Sequence, residues 1–366
     1  MDKGREVYIS GIGSFLPGEK IPFDRIEDVL GKITEAPKRV LKWTKRMQPI
    51  MKEMLGLDYY HYAIDPISRK PTESNVSMCV KSAVKALEMA EVRAPEIELI
   101  IYAGILMEQV CPPTTVLIQE ELKIPHCAEI AIHSNCTSIY KALQVGADLV
   151  ANGRYNNALI MTSQLSSPLL SVEHFNQKIL ERKQVLLRWF LCDGAGAMVI
   201  TPQKEGSKFR VVDTYLESVG LGLGPDMYAE TGGHRCHPLE VYEKGWHHLN
   251  QNFEKVAKIG PPLYKKGVDN MIEKTGLDMS LVKYFLLNIP TRHLMDLCMN
   301  SLKKTWPNLR FYTKLGESGY PGPPAIVIGL DEFLKETELE AGDLVVTCVT
   351  ESSKWMHGGF TLEYCG

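Results

Sequence analysis

The order of strand-like and helix-like segments runs through this chain twice, and a duplication of that kind restricts the architecture more than any single motif does. In the first half, residues 7–16 read as a strand ending in a Gly-rich turn. A helical stretch over 77–90, an apolar strand over 97–103, a helix near 114–122 and a strand near 128–132 follow. A turn at Cys136 opens another helix, and strands at 157–162 and 196–200 close the unit. The second half keeps that order: strand 209–219, largely helical 242–275, apolar strand 284–288, helix 291–302 and a strand near 309–312. A Gly-rich turn at 316–322 then enters a helix over 325–334, and strands at 344–349 and 359–364 finish the chain. The expected organisation is an N-terminal half, 1–205, and a C-terminal half, 206–366, packed into one layered α/β body.

Composition narrows the function classes. A hydrophobic content of 45% with 23% charged residues describes an ordinary globular chain of 366 residues. The formal net charge of −3, without an extended basic run, gives nucleic-acid binding little support. The charged start, Met1-Asp2-Lys3-Gly4-Arg5-Glu6, does not read as an export signal. No apolar run approaches the roughly 20 residues that cross a bilayer, so a cytoplasmic protein without membrane contact is expected. Nine scattered cysteines fit reduced thiols better than a disulfide framework. His234, Cys236 and His237, with His247 and His248 further on, lack the paired spacing of a structural zinc site, so no metal is expected.

Cys136 is the main lead to chemistry. It lies in Ile132-His133-Ser134-Asn135-Cys136-Thr137-Ser138-Ile139, where an apolar strand gives way to a helix whose buried face is marked by Ile139, Ala142, Leu143, Ala147 and Val150. Unpaired N–H groups and the positive end of the helix dipole favour a thiolate at such a place. A buried structural cysteine is the alternative, since that is the usual fate of a free thiol.

Three further segments, in order around that turn, are familiar. Ile9-Ser10-Gly11-Ile12-Gly13-Ser14-Phe15-Leu16-Pro17, Cys192-Asp193-Gly194-Ala195-Gly196-Ala197 and His357-Gly358-Gly359-Phe360-Thr361 resemble the opening strand, the Asp-Gly-Ala-Gly-Ala segment and the C-terminal glycine turn of the ketosynthase III branch of the thiolase superfamily, the 3-oxoacyl-(acyl carrier protein) synthase III family. The resemblance covers nearly the whole length. It implies a thiolase-like five-layered αβαβα fold, usually a homodimer, with no permanently bound cofactor. It also implies that Cys136 takes an acyl group from acyl-CoA or acyl carrier protein, with N–H groups of Cys136 and Gly358 as oxyanion donors. Condensation with a malonyl-type thioester, in fatty-acid or polyketide-type biosynthesis, is the activity that follows from the resemblance.

The remaining site residues depart from the family pattern. The family histidine falls at about Asn288 or Ile289, and His293 comes several residues later, in the opening turn of a helix. His357 is another possible substitute. The turn that usually carries an asparagine reads Gly316-Glu317-Ser318-Gly319-Tyr320, so Glu317 or Tyr320 takes that place. A carboxylate there would repel an enolate, although it could serve as a general base toward a hydroxyl, amine or acidic carbon. The loop 104–113 resembles the family segment that reaches a partner's acyl pocket: Cys111 matches the position nearest the acyl tail, and Glu108 fits an interface role better than a base. Two other functions stay open: acyl transfer to an O, N or C nucleophile without decarboxylation, and a non-catalytic partner subunit in a ketosynthase heterodimer.

Overall fold

The structure, a computed structural model, describes residues 4–230 and 237–366. His234 and Cys236 lie outside the described residues. Ten strands form one sheet: β1 (Tyr8–Phe15), β2 (Leu99–Gly104), β3 (Ala128–His133), β4 (Ala158–Gln164), β5 (Gly194–Thr201), β6 (Phe209–Ser218), β7 (Val282–Leu287), β8 (Arg310–Tyr312), β9 (Leu344–Glu351) and β10 (Met356–Tyr364). Their order across the sheet is β8-β7-β9-β10-β6-β1-β5-β4-β2-β3. Outward from the β6–β1 seam, both directions run antiparallel, antiparallel, parallel, parallel. The repeat in the sequence is thus a repeat in topology.

Two helices fill the space between the half-sheets: α4 (Ser138–Ala151) and α7 (Pro324–Glu336). Ile139, Leu143 and Val150 of α4 and Val327, Leu330 and Phe333 of α7 share one core with strand residues from both halves. Outside the first half lie α2 (Asn75–Ala90) and α3 (Thr114–Glu121), and outside the second lie α5 (Phe253–Thr275) and α6 (Arg292–Thr305). The result is the five-layered αβαβα arrangement. Strands β2 and β4 are buried along their whole length, covered on both faces; β2 reads as an unbroken apolar run, and β4 is apolar as far as Met161. Gly196 of β5 lets α7 approach, because a Cβ there would stand 2.5 Å from Val327 Cβ.

Above the β-strand ends that carry Cys136 sits an apolar cap. It is built from α1 (Lys38–Leu55) with neighbouring segments and from short helices between β4 and β5, and its core includes Phe23, Leu30, Tyr60, Leu187, Trp189 and Phe190. Arg188 pins this cap from inside. Its guanidinium, 3% exposed, donates to Leu170 O at 2.7 Å, Leu30 O at 2.9 Å and Gly31 O at 2.8 Å. Asp193 ties cap to sheet by accepting from the N–H groups of Ala63, Ser166 and Ser167.

One expected element is divided. The helical stretch over 242–275 is a short helix, Pro238–Glu243, a turn at Gly245 with φ +63°, the strand Asn250–Gln251, and then α5. Asn252 begins α5 by accepting the Lys255 N–H, which gives that helix its own start. No helix among the described residues is long and apolar enough to cross a membrane.

The divided segment also packs His247 and His248 against His174 of the cap, with ring centroids 4.0 Å apart for His247–His248 and 4.6 Å for His174–His247. Burial, then the neighbouring rings, lowers His174 to about 4 and His248 to about 3. Both rings are therefore neutral when folded and titrate near 6.5 when unfolded. Their stabilising contribution is complete above about pH 6.5 and is lost as pH falls toward 4 and 3. Urea midpoints should drop between pH 7 and pH 5, by on the order of 1–2 kcal/mol per ring, and His248→Gln should blunt the drop.

Candidate active site

Cys136 occupies the turn between β3 and α4, a half-buried residue on the lining of a cavity. Sγ lies 3.2 Å from the hydroxyl of Tyr320 and 3.8 Å from Asn135 Oδ1. Tyr320 arrives from the loop leading into α7, and the cap holds it there: it bridges to Leu191, and its carbonyl accepts the Cys192 N–H at 3.4 Å. Asn288 follows β7 and donates through Nδ2 to Tyr140 Oη at 3.3 Å, while Tyr140 Oη and Thr347 Oγ1 are 3.2 Å apart.

These groups open onto one cavity of about 70 Å³ whose wall includes Cys136, Gln251, Tyr264, Asn288, Tyr320 and Trp355. Tyr264, Gln251 and Asn288 are 3%, 5% and 3% exposed, and Tyr264 Oη, Gln251 Oε1 and Asn288 Oδ1 have no hydrogen-bond partner. An unpaired polar atom at such depth costs about 1–3 kcal/mol. No Asp, Glu, Lys, Arg or His among the described residues stands on that wall.

The electrostatics hold Cys136 as a thiol. Burial is the largest influence and the Glu351 carboxylate the next, and together they push its pKa up to about 12. The Tyr320 hydroxyl and the backbone N–H of Cys136 pull the other way and are outweighed. Burial first, then Cys136 itself, drives the Tyr320 phenol well above its ordinary value, so both partners are neutral near pH 7.

The structure brings Cys136, Asn288 and Tyr320 together and leaves other expected site residues elsewhere. His293 is exposed on the first turn of α6, which Thr291 caps, and it is not part of the cavity wall. Glu317 is exposed and paired with Lys314 at 3.0 Å. His357 is buried in β10, with Nδ1 3.0 Å from Thr350 Oγ1 and its ring against Gly267 of α5; burial lowers it to about 4.

Gly358 lies inside β10, paired with Val349 on one side and Leu216 on the other. A Cβ there would stand 3.0 Å from Tyr140 Cβ, so this glycine admits α4 to the sheet. The turn facing the cavity comes earlier, between β9 and β10, and supplies Ser352 and Trp355 to the wall. Glu108 accepts the Val76 N–H at 3.2 Å near the start of α2, and Cys111 is exposed in the same loop. Among the described residues no group of three or more His, Cys, Asp or Glu side chains is arranged to hold a metal ion.

Three groups went unnoticed in the sequence. Tyr264 and Gln251 belong to segments far from Cys136 in the chain. Glu351 carried a signal, an acidic residue ending β9 two places after its last apolar residue, Val349.

Residues 130–220, which span the Cys136 turn and the Asp193 segment, match the family of 3-Oxoacyl-[acyl-carrier-protein (ACP)] synthase III. The chain is 23% identical over 337 residues to a beta-ketoacyl-[acyl-carrier-protein] synthase III of Clostridium perfringens, covering 92% of this chain and 93% of that protein. Among solved structures, AbyA1, a tetronic acid condensing enzyme, superposes with a TM-score of 0.81 at 20% identity, covering 98% of this chain and 99% of that one. The 3-oxoacyl-[acyl-carrier-protein] synthase III of Aquifex aeolicus gives 0.75 at 19% identity, over 98% and 100%. Fold and sequence together therefore bear out the resemblance to the ketosynthase III branch of the thiolase superfamily. The matching relatives are named as 3-oxoacyl-ACP synthases III, an acyl-transferring condensing family, and that is the family this chain resembles.

Proposed function

We propose that the protein loads an acyl group from a CoA or carrier-protein thioester onto Cys136 and condenses it with a malonyl-type thioester. The observation that carries this reading is a thiol beside a hydroxyl and a carboxamide, on the wall of a cavity with unpaired polar atoms. In the first step the Cys136 sulfur bonds to the thioester carbon, the donor C–S bond breaks, and the thiol proton leaves with the donor as its free thiol. In the second, loss of carbon dioxide leaves an enolate whose carbon attacks the acyl group, and the Cys136 sulfur leaves and regains a proton. The Tyr320 hydroxyl and the second Nδ2 hydrogen of Asn288 are the neutral donors for the enolate.

The protein works as a dimer in this reading, with a second copy or a close relative. Strand β3 ends the sheet, its outer edge is unpaired among the described residues, and an open edge is a template for another chain. All eight described cysteines are free, which suits the cytoplasm.

The absence of histidine from the cavity wall among the described residues favours a second reading, acyl transfer to another nucleophile without decarboxylation. Carbon dioxide release separates the two. With an acyl-CoA and carboxyl-labelled malonyl thioester, condensation releases label at the rate at which free thiol forms, and Cys136→Ala abolishes it. Free-thiol formation without label release, once an alcohol or amine acceptor is supplied, establishes the second reading.

A further inference from the structure

Glu351, the last residue of β9, is 1% exposed and takes no part in the chemistry described above. Its Oε2 accepts the Thr137 N–H at 2.9 Å, Thr137 Oγ1 at 2.5 Å and Ser134 Oγ at 3.3 Å; its Oε1 accepts Ser353 Oγ. The donors from Ser134 and Thr137 flank Cys136 on both sides, and Thr137 is the N-cap of α4. The carboxylate thus sits on the positive end of the helix whose first turn follows the nucleophile. Among the described residues it has no ion-pair partner; the nearest cation in the network, Lys141, donates to Ser134 Oγ at 2.7 Å and reaches Glu351 only through that hydroxyl.

From this geometry we propose that Glu351 is a positioning residue for Cys136: it fixes the nucleophile turn from behind and, by occupying the helix terminus with negative charge, keeps the sulfur protonated until substrate enters. A bare helix N-terminus would favour a thiolate, and a thiolate in a resting enzyme is open to alkylation and oxidation. The groups facing Cys136 are Tyr320 from the loop before α7, Tyr140 from α4 and Glu351 from β9; of these only Glu351 is a carboxyl group. The raised thiol pKa agrees with that count.

The test needs no acyl substrate, so it stands or falls apart from the reading of Cys136 as an acyl carrier. Alkylation of Cys136 by iodoacetamide is followed against pH by peptide mass spectrometry in the wild-type protein, Glu351→Gln and Glu351→Asp. The midpoint in the wild type should lie above that of an ordinary thiol. Glu351→Gln, which retains an acceptor for Thr137 but no charge, should lower it by about one unit or more, so that alkylation near pH 8 speeds up about tenfold. Glu351→Asp, which keeps the charge, should stay near the wild type. A folded Glu351→Gln with an unmoved midpoint overturns the proposal. So does a wild-type midpoint at or below the ordinary value, which needs no variant.

Discussion

Cys136→Ala is expected to reduce thioester-dependent acyl transfer by about 10⁴-fold or more while leaving the protein folded. Covalent capture depends on the Cys136 sulfur, which lies beside the Tyr320 hydroxyl on the cavity wall, and removing a nucleophile that works as part of a unit removes nearly all of that unit's effect. Cys298 also borders the cavity, but it is 3% exposed in the middle of α6, whereas Cys136 stands at the start of α4 beside the Tyr320 hydroxyl. The substitution removes one thiol from the edge of two cores, so the urea midpoint should fall by no more than about 1 kcal/mol. Steady-state release of free CoA from a short acyl-CoA, beside a urea titration of the same preparation, checks both halves of the statement.

The second large effect concerns stability. Arg188→Ala should cost about 3–5 kcal/mol, because it strands three buried carbonyl oxygens, on Leu30, Gly31 and Leu170, and leaves a cavity under the Phe175 ring that the guanidinium now covers at 5.4 Å. Burial lowers this guanidinium to about 10, so it remains charged at neutral pH. Arg188→Lys should recover only part of the loss, since one ammonium cannot reproduce a planar fork directed at three carbonyls. The loss should be largest in the cap, because Arg188 joins two chain segments 157 residues apart there. Hydrogen exchange in the cap segments should accelerate more than in β2 or β4, and a chemical melt gives the magnitude.

The sheet was legible because its inner strands are covered on both faces. A segment such as Leu99–Gly104, buried at every residue, has no choice but to be an apolar run, and the same constraint acts at the matching place in the second half from Tyr284 to Leu287. Helix α1 left no such trace. Of its 18 residues only Val40, Met51 and Leu55 are buried, and Pro49 interrupts it, so its existence depends on the cap it packs against. The stretch over 242–275 misled because its helical composition hides a break set by Gly245 and by the pairing of Asn250–Gln251 with Met227–Tyr228.

The site divides along the same line. The strand–turn–helix step that presents Cys136 is local, and so is the loop that delivers Tyr320. Gly358 drew notice as half of a glycine pair, but the pair lies in β10, and the turn at the cavity is made by Ser352-Ser353-Lys354-Trp355, with Trp355 itself at φ +60°. A turn without glycine gives no compositional sign. Tyr264, Gln251 and Glu351 meet Cys136 or its cavity only through tertiary packing, and nothing in their own neighbourhoods marks them as a group.

The central claim is that Cys136 carries the acyl group, and intact-protein mass spectrometry after brief incubation with a short acyl-CoA tests it most directly. The account predicts a mass increase of one acyl group, mapped to the peptide containing Cys136 and missing from Cys136→Ala. An unmodified folded protein, or an adduct that persists when Cys136 is alanine, would contradict it.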